Sequence, residues 1–117
     1  MIARMRQAAA EGNVALQRCE ACGAVQYPPR EMCGSCLSDQ LGWDIAATIN
    51  GRLLAGTTLH HSNAPRFRSR LPMRIGLVLL DAGPVVVCFL GSDAQPDETV
   101  HLRARLDDTG HPVLEAT

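Results

Sequence analysis

Two Cys-x-x-Cys pairs set ten residues apart constrain this chain more than anything else in it: CEACGAVQYPPREMCGSC, from Cys19 to Cys36. A segment of two short turns has no room for a hydrophobic core, so something other than apolar burial must hold it. Each pair can wrap one side of a metal ion, and Zn²⁺ takes four thiolates tetrahedrally at about 2.3 Å. Gly23 follows the first pair, where the turning backbone favours positive φ. Pro28 and Pro29 fix φ and are expected to hold the link extended between the turns. Four thiolates leave the ion with net negative charge, which Arg18 and Arg30 are placed in sequence to offset.

Other occupants use the same residues. Iron in a rubredoxin-type centre takes the same four ligands, and two disulfides would consume them. The N-terminus, MIARMRQAAAEGN, lacks the apolar block of a signal peptide, and no run approaches the roughly 18 apolar residues of a membrane span. The expected location is therefore cytoplasmic, where thiols stay reduced. That disfavours disulfides, and the short spacer favours structural zinc over iron. Catalytic zinc does not fit, because four cysteines leave no position for water or substrate. Cys88, inside VVVCFLG, has no partner nearby in sequence and reads as a buried small hydrophobe.

The expected fold class is mainly β: a short N-terminal helix and a rubredoxin-like zinc ribbon over residues 1–41, then a small OB-fold β-barrel over residues 42–117. Ile2, Met5 and Ala9 recur at helical spacing, and Gly12-Asn13 supplies a stop, which gives a helix over residues 2–11. So short a helix must dock, either on its own domain or on a partner. DIAATI and RLLAGTTLHH flank Asn50-Gly51, a tight-turn signal, or else a bend or bulge in one long strand. MRIGLVLLD and VVVCFLG flank the Asp81–Pro84 turn as a hairpin. TVHLRARLD sets Val100, Leu102, Ala104 and Leu106 on one face and His101, Arg103 and Arg105 on the other, and VLEA closes the set. Several short strands between turns indicate a small barrel. LVLL and VVVCFL are apolar on both faces, so their outer face needs a cover.

Chemistry outside the cysteines concentrates in HHSNAPRFRSR, residues 60–70. Arg66, Phe67, Arg68 and Arg70 could grip phosphates and stack on a base, or form a plain solvated loop. His60 and His61 read as ordinary strand-end residues, since no carboxylate is spaced to orient them. There is no nucleophile elbow, phosphate-binding loop, dinucleotide fingerprint or His-Glu-x-x-His. Every one of the 11 basic residues is arginine, as a GC-rich genome would give, and the net charge is −1.

Taken in order, several motifs resemble one family. These are the short helix, LQRCEACGAVQYPPREMCGSC, Trp43 shortly after it, NGRLLAGTTLHHS, LPMRIGLVLLDAGPVVVCFLG and a closing strand. The chain is similar over nearly its whole length to the zinc-ribbon/OB-fold acyl-CoA-associated proteins, long grouped as a domain of unknown function. Three departures stand out: Leu37 where some ribbons have glycine, no aromatic over Thr57–Leu59, and QPDETV in place of a glycine-hydrophobic-proline turn.

The resemblance implies a non-catalytic accessory subunit that docks through its ribbon on a thiolase-like or hydratase/aldolase acyl-CoA enzyme. It implies Cys19, Cys22, Cys33 and Cys36 as ligands of structural zinc. It also implies a CoA thioester as the ligand of the complex, with the Arg66, Phe67, Arg68 and Arg70 region facing the CoA phosphates. The competing reading is a single-stranded nucleic-acid-binding module, which needs aromatic platforms and a basic groove. With 3% aromatic residues and a net charge of −1, the footprint is poor.

Overall fold

A computed structural model of the chain describes residues 2–61 and 71–117. A helix α1 (Ile2–Ala10) leads into β1 (Val14–Cys19), β2 (Val25–Gln26) and β3 (Leu41–Ala46). There follow β4 (Ile49–Leu59), β5 (Met73–Leu80), β6 (Val85–Leu90), β7 (Thr99–Leu106) and β8 (Pro112–Ala116). The first three strands form an antiparallel sheet in the order β2-β1-β3, and the other five close a barrel in the order β4-β5-β6-β8-β7. That is the OB-type order, and the mainly β class with one short helix is as the sequence indicates.

Helix α1 ends where Gly12 takes φ 78° and Asn13 N–H returns to the Ala8 carbonyl at 2.8 Å. Met5 and Ala8 pack on Ala15, Tyr27 and Trp43, so the helix docks on its own protein, while Ile2 stays exposed. Strand β1 is buried on both faces: Ala15 meets the helix, whereas Val14 and Leu16 join the barrel core around Leu53, Val78, Leu102 and Leu114. Ribbon and barrel therefore share one apolar interior.

The Asn50-Gly51 pair is not a hairpin turn. One strand runs through it, and the irregularity falls later, between Leu53 and Ala55. Gly51 pairs with Leu80 on one side and Val100 on the other, at the seam that closes the barrel. A Cβ there would lie 2.5 Å from Val78 Cγ1 and 2.7 Å from the Leu79 carbonyl oxygen, so glycine serves close approach rather than a turn. QPDETV supplies the partner for the irregular stretch. Leu53 N–H donates to the Glu98 carbonyl at 2.9 Å, Asp97 N–H donates to the Leu53 carbonyl at 2.8 Å, and Asp97 takes φ 74°.

The hairpin at Asp81–Pro84 forms as expected, with Gly83 at φ 122°. Across β5 and β6, Val78, Leu80, Val86, Cys88 and Leu90 point into the barrel. The cross-strand pairs Leu77↔Val87 and Leu79↔Val85 stand on the outside, and Leu77, Val85 and Val87 are exposed. Among the described residues, no helix is long and apolar enough to cross a membrane.

Candidate metal centre and the barrel beside it

The cysteine pairs sit on two matching turns. In the first, Cys19 N–H donates to the Ala24 carbonyl (2.8 Å) and Gly23 N–H to the Cys19 carbonyl (2.9 Å). In the second, Cys33 N–H donates to the Ser38 carbonyl (2.8 Å) and Leu37 N–H to the Cys33 carbonyl (3.0 Å). Gly23 at φ 81° and Leu37 at φ 64° occupy equivalent places. Leucine thus adopts the left-handed conformation that glycine adopts without a Cβ penalty.

These turns bring Cys19, Cys22, Cys33 and Cys36 together, with all four Sγ atoms within 4.8 Å of one another. The Cys19–Cys36 and Cys22–Cys33 sulfurs are each 3.6 Å apart. A tetrahedron with bonds of about 2.3 Å has edges of about 3.8 Å, so the cluster has the dimensions of a four-thiolate metal site. The separations are far beyond the roughly 2.05 Å of a disulfide, and all five cysteines are free. Backbone N–H groups point at sulfur: Cys22 N–H at Cys19 Sγ (3.5 Å) and Ser35 N–H at Cys33 Sγ (3.3 Å). The N–H of Cys36, with that of Ser35, pulls the Cys33 thiol down to about 6, and the N–H of Cys22 likewise lowers Cys19. Despite the N–H groups of Ala24 and Ser38, the neighbouring sulfurs shift Cys22 and Cys36 upward, so the crowded cluster sheds its last protons only against a cation.

Gln17 and Gln26, which the sequence reading passed over, hold the link and the start of the second turn. Gln17, only 4% exposed, donates from Nε2 to the Arg30 carbonyl (3.0 Å), and its Oε1 accepts from Arg30 N–H (2.7 Å). Its side chain thus copies a strand partner for the link. Gln26 Nε2 donates to Gln17 Oε1 (2.6 Å), while Gln26 Oε1 accepts from Gly34 N–H (3.0 Å). The signal was a glutamine directly after the apolar residues VAL in VALQRC. The link itself is not extended throughout: the backbone bends at Tyr27 and Pro28. Of the flanking arginines, Arg18 is committed elsewhere: its Nε donates to both carboxylate oxygens of Asp44, at 3.1 and 3.0 Å. Arg30 stays at the site, its Nη1 2.9 Å from where a Gly34 Cβ would lie.

Among the described residues, the four cysteines are the one His/Cys/Asp/Glu group fit to hold a metal, and His60 and His61 are exposed. Arg66, Phe67, Arg68 and Arg70 lie outside the described residues. Cys88 is buried in the barrel, and burial pushes its thiol up to about 11, which suits a packing role rather than a nucleophile. On β7, Arg103 is exposed, but Arg105 Nε donates to Glu115 Oε2 at 2.9 Å with its guanidinium 5.8 Å from the Phe89 ring centre.

Residues 6–42 match the family model described as ChsH2, rubredoxin-like zinc ribbon domain, and residues 45–110 match ChsH2, C-terminal OB-fold domain. Among solved structures, a chain of an assembly described as "Ltp2-ChsH2(DUF35) aldolase" is similar at a TM-score of 0.77 and 25% identity, over 97% of this chain and 91% of that one. Among curated proteins, a "probable enoyl-CoA hydratase alpha subunit" from Thermomonospora curvata is 32% identical over 85 residues, 72% of this chain. The chain spans 25% of that relative's length.

Proposed function

This chain belongs to the ChsH2 family, a zinc ribbon followed by an OB-fold domain, and from that premise we propose that it is a non-catalytic accessory subunit of an acyl-CoA-processing enzyme. The observation that carries the reading is the near full-length likeness to a chain of the "Ltp2-ChsH2(DUF35) aldolase". The hydratase subunit relative supports the same acyl-CoA chemistry. The partner on this reading is a thiolase-like or hydratase/aldolase enzyme.

Residues 1–41 then act as the ribbon and residues 42–117 as the barrel domain, which lends β3 to the ribbon sheet. Cys19, Cys22, Cys33 and Cys36 hold structural Zn²⁺, which cross-links two turns that have no core of their own. With four thiolates the coordination shell is closed, so the ion supplies stability rather than a reactive position. The barrel helps bind the CoA thioester of the complex, and Arg66, Phe67, Arg68 and Arg70 serve its phosphates and base. A single-stranded nucleic acid fits less well, because the outer face of β5 and β6 offers aliphatic side chains and one phenylalanine, Phe89, where stacking platforms are needed.

Co-expression with the products of neighbouring genes, followed by affinity capture, tests the proposal. A CoA-ester enzyme recovered in fixed stoichiometry is the expected result. A stable monomer that captures nothing and shifts single-stranded RNA in moderate salt refutes it. In the recovered complex, Arg66, Arg68 and Arg70 replaced together by Ala should raise KM for the thioester, and an unchanged KM removes that segment from the site. Metal analysis should give one zinc per chain; iron in excess of zinc, from cells grown without added iron, overturns the zinc assignment.

A further inference from the structure

The barrel wall has a slot. Strands β6 and β8 pair in parallel at only two positions, Phe89↔Glu115 and Leu90↔Ala116, and the ladder does not continue toward Val87 and Val113. Where the ladder stops, a cavity of about 260 Å³ opens, lined by residues of both strands, by Met73 and Ile75 of β5, by Leu59 of β4 and by Tyr27 of the ribbon. Cys88 and Leu114, otherwise buried in the barrel, lie in its lining.

We propose that this slot is a binding site for the uncharged acyl or ring portion of the thioester. The inference deepens the accessory-subunit reading and rests on it. Three observations select the occupant. None of the described lining residues carries a charge, so the phosphorylated end of a CoA ester would be desolvated against them without a partner. The volume fits: an apolar cavity of about 150 Å³ takes benzene, so this one has room for about ten carbons, as a chain or a fused pair of rings. A docking phenylalanine would supply a single benzene-sized ring and leave much of that space unfilled. Among the described lining side chains, the polar hydrogens are those of the Tyr27 phenol and the Cys88 thiol. Burial raises the Tyr27 phenol above its ordinary value, with Cys88 adding to the effect, so it stays a neutral donor for a carbonyl or hydroxyl oxygen. This is the usual composition of a small-molecule site, mostly apolar with a few polar groups that orient the ligand.

Calorimetric titration of the metal-loaded full chain with CoA, acetyl-CoA, hexanoyl-CoA, decanoyl-CoA, tetradecanoyl-CoA and sodium decanoate tests the assignment. Affinity should climb about two- to fourfold per methylene and level off near ten carbons. Val87→Trp fills the slot from an exposed β6 position and should weaken decanoyl-CoA at least tenfold while leaving CoA unchanged. Met73→Trp, from β5, is the second variant. Val85→Trp, on the same face but outside the lining, should change nothing. Affinity independent of chain length, or equal effects of Val87→Trp and Val85→Trp, overturns the proposal. So does decanoate binding as tightly as decanoyl-CoA, which would make the slot a free-acid site. If Val87→Trp abolishes enzyme capture while decanoyl-CoA binds no chain, the slot is part of a protein interface and the proposal fails. Failure of the unmodified chain to capture any enzyme instead sinks the accessory-subunit reading and is read separately.

Discussion

Replacing Gln17 by Met keeps the length of the side chain and removes its amide, which isolates the clamp on the second cysteine turn. Two bonds to the Arg30 backbone disappear, at 3.0 and 2.7 Å, and Gln26 loses its acceptor at 2.6 Å. Each backbone bond contributes about 1 kcal/mol net, and toward 2 kcal/mol where the freed groups stay dry. With Gln17 only 4% exposed, water reaches the site poorly, so the expected loss is about 2–4 kcal/mol. Ordering of the turn and closure of the metal shell are a single event in small metallo-domains. The loss should therefore appear as a metal affinity about 30- to 700-fold weaker. Competition with a chromophoric zinc chelator measures this, and thermal unfolding of the loaded chain gives an independent value at about 4 °C per kcal/mol. Gln26→Ala should cost less, about 1–2 kcal/mol, because its remaining bonds lie in exposed surroundings. An affinity for the Gln17→Met chain within threefold of the original, with an unchanged midpoint, would refute the clamp as what orders Cys33 and Cys36.

Further outcomes follow from other sites. Leu37→Gly relieves a left-handed leucine and should leave stability unchanged or raise it by up to about 1 kcal/mol, whereas Gly23→Ala should cost about 1–2 kcal/mol although its Cβ meets nothing within 4 Å; urea denaturation of the loaded chain compares the two. Gly51→Ala drives a methyl to 2.5 Å from Val78 Cγ1 at the barrel seam and should cost about 2–4 kcal/mol or prevent folding, read from the same curves. Cys88 has a folded value of about 11 against an ordinary value near 9, so its contribution is intact below about pH 9 and is lost as pH rises through 11. Cys88→Val should therefore flatten the decline in stability over that interval. Cys33→Ser removes one of the four sulfurs and should abolish stoichiometric zinc, read by metal analysis of the purified chain.

The sequence alone determined the local features. Doubled Cys-x-x-Cys spacing dictates paired turns whatever surrounds them, and the four sulfurs do converge. Two apolar, β-branched runs on either side of the Asp81–Pro84 turn dictate a hairpin. Other features depended on which surfaces meet, and tertiary structure decided them. Asn50-Gly51 has the chemistry of a turn, but barrel closure needs a strand there that pairs on both sides, and steric crowding against Val78 selects the glycine. Arg18 has the position of a counter-charge to the cluster, but Asp44 on the neighbouring strand lies closer to hand. Gln17 looks like an interruption in an apolar run until Arg30 folds back beside it. The slot beside Tyr27 has no sequence signature at all. It exists because two strands far apart in the chain pair at only two positions, and a ladder's length is set by how the barrel closes rather than by either strand's own pattern.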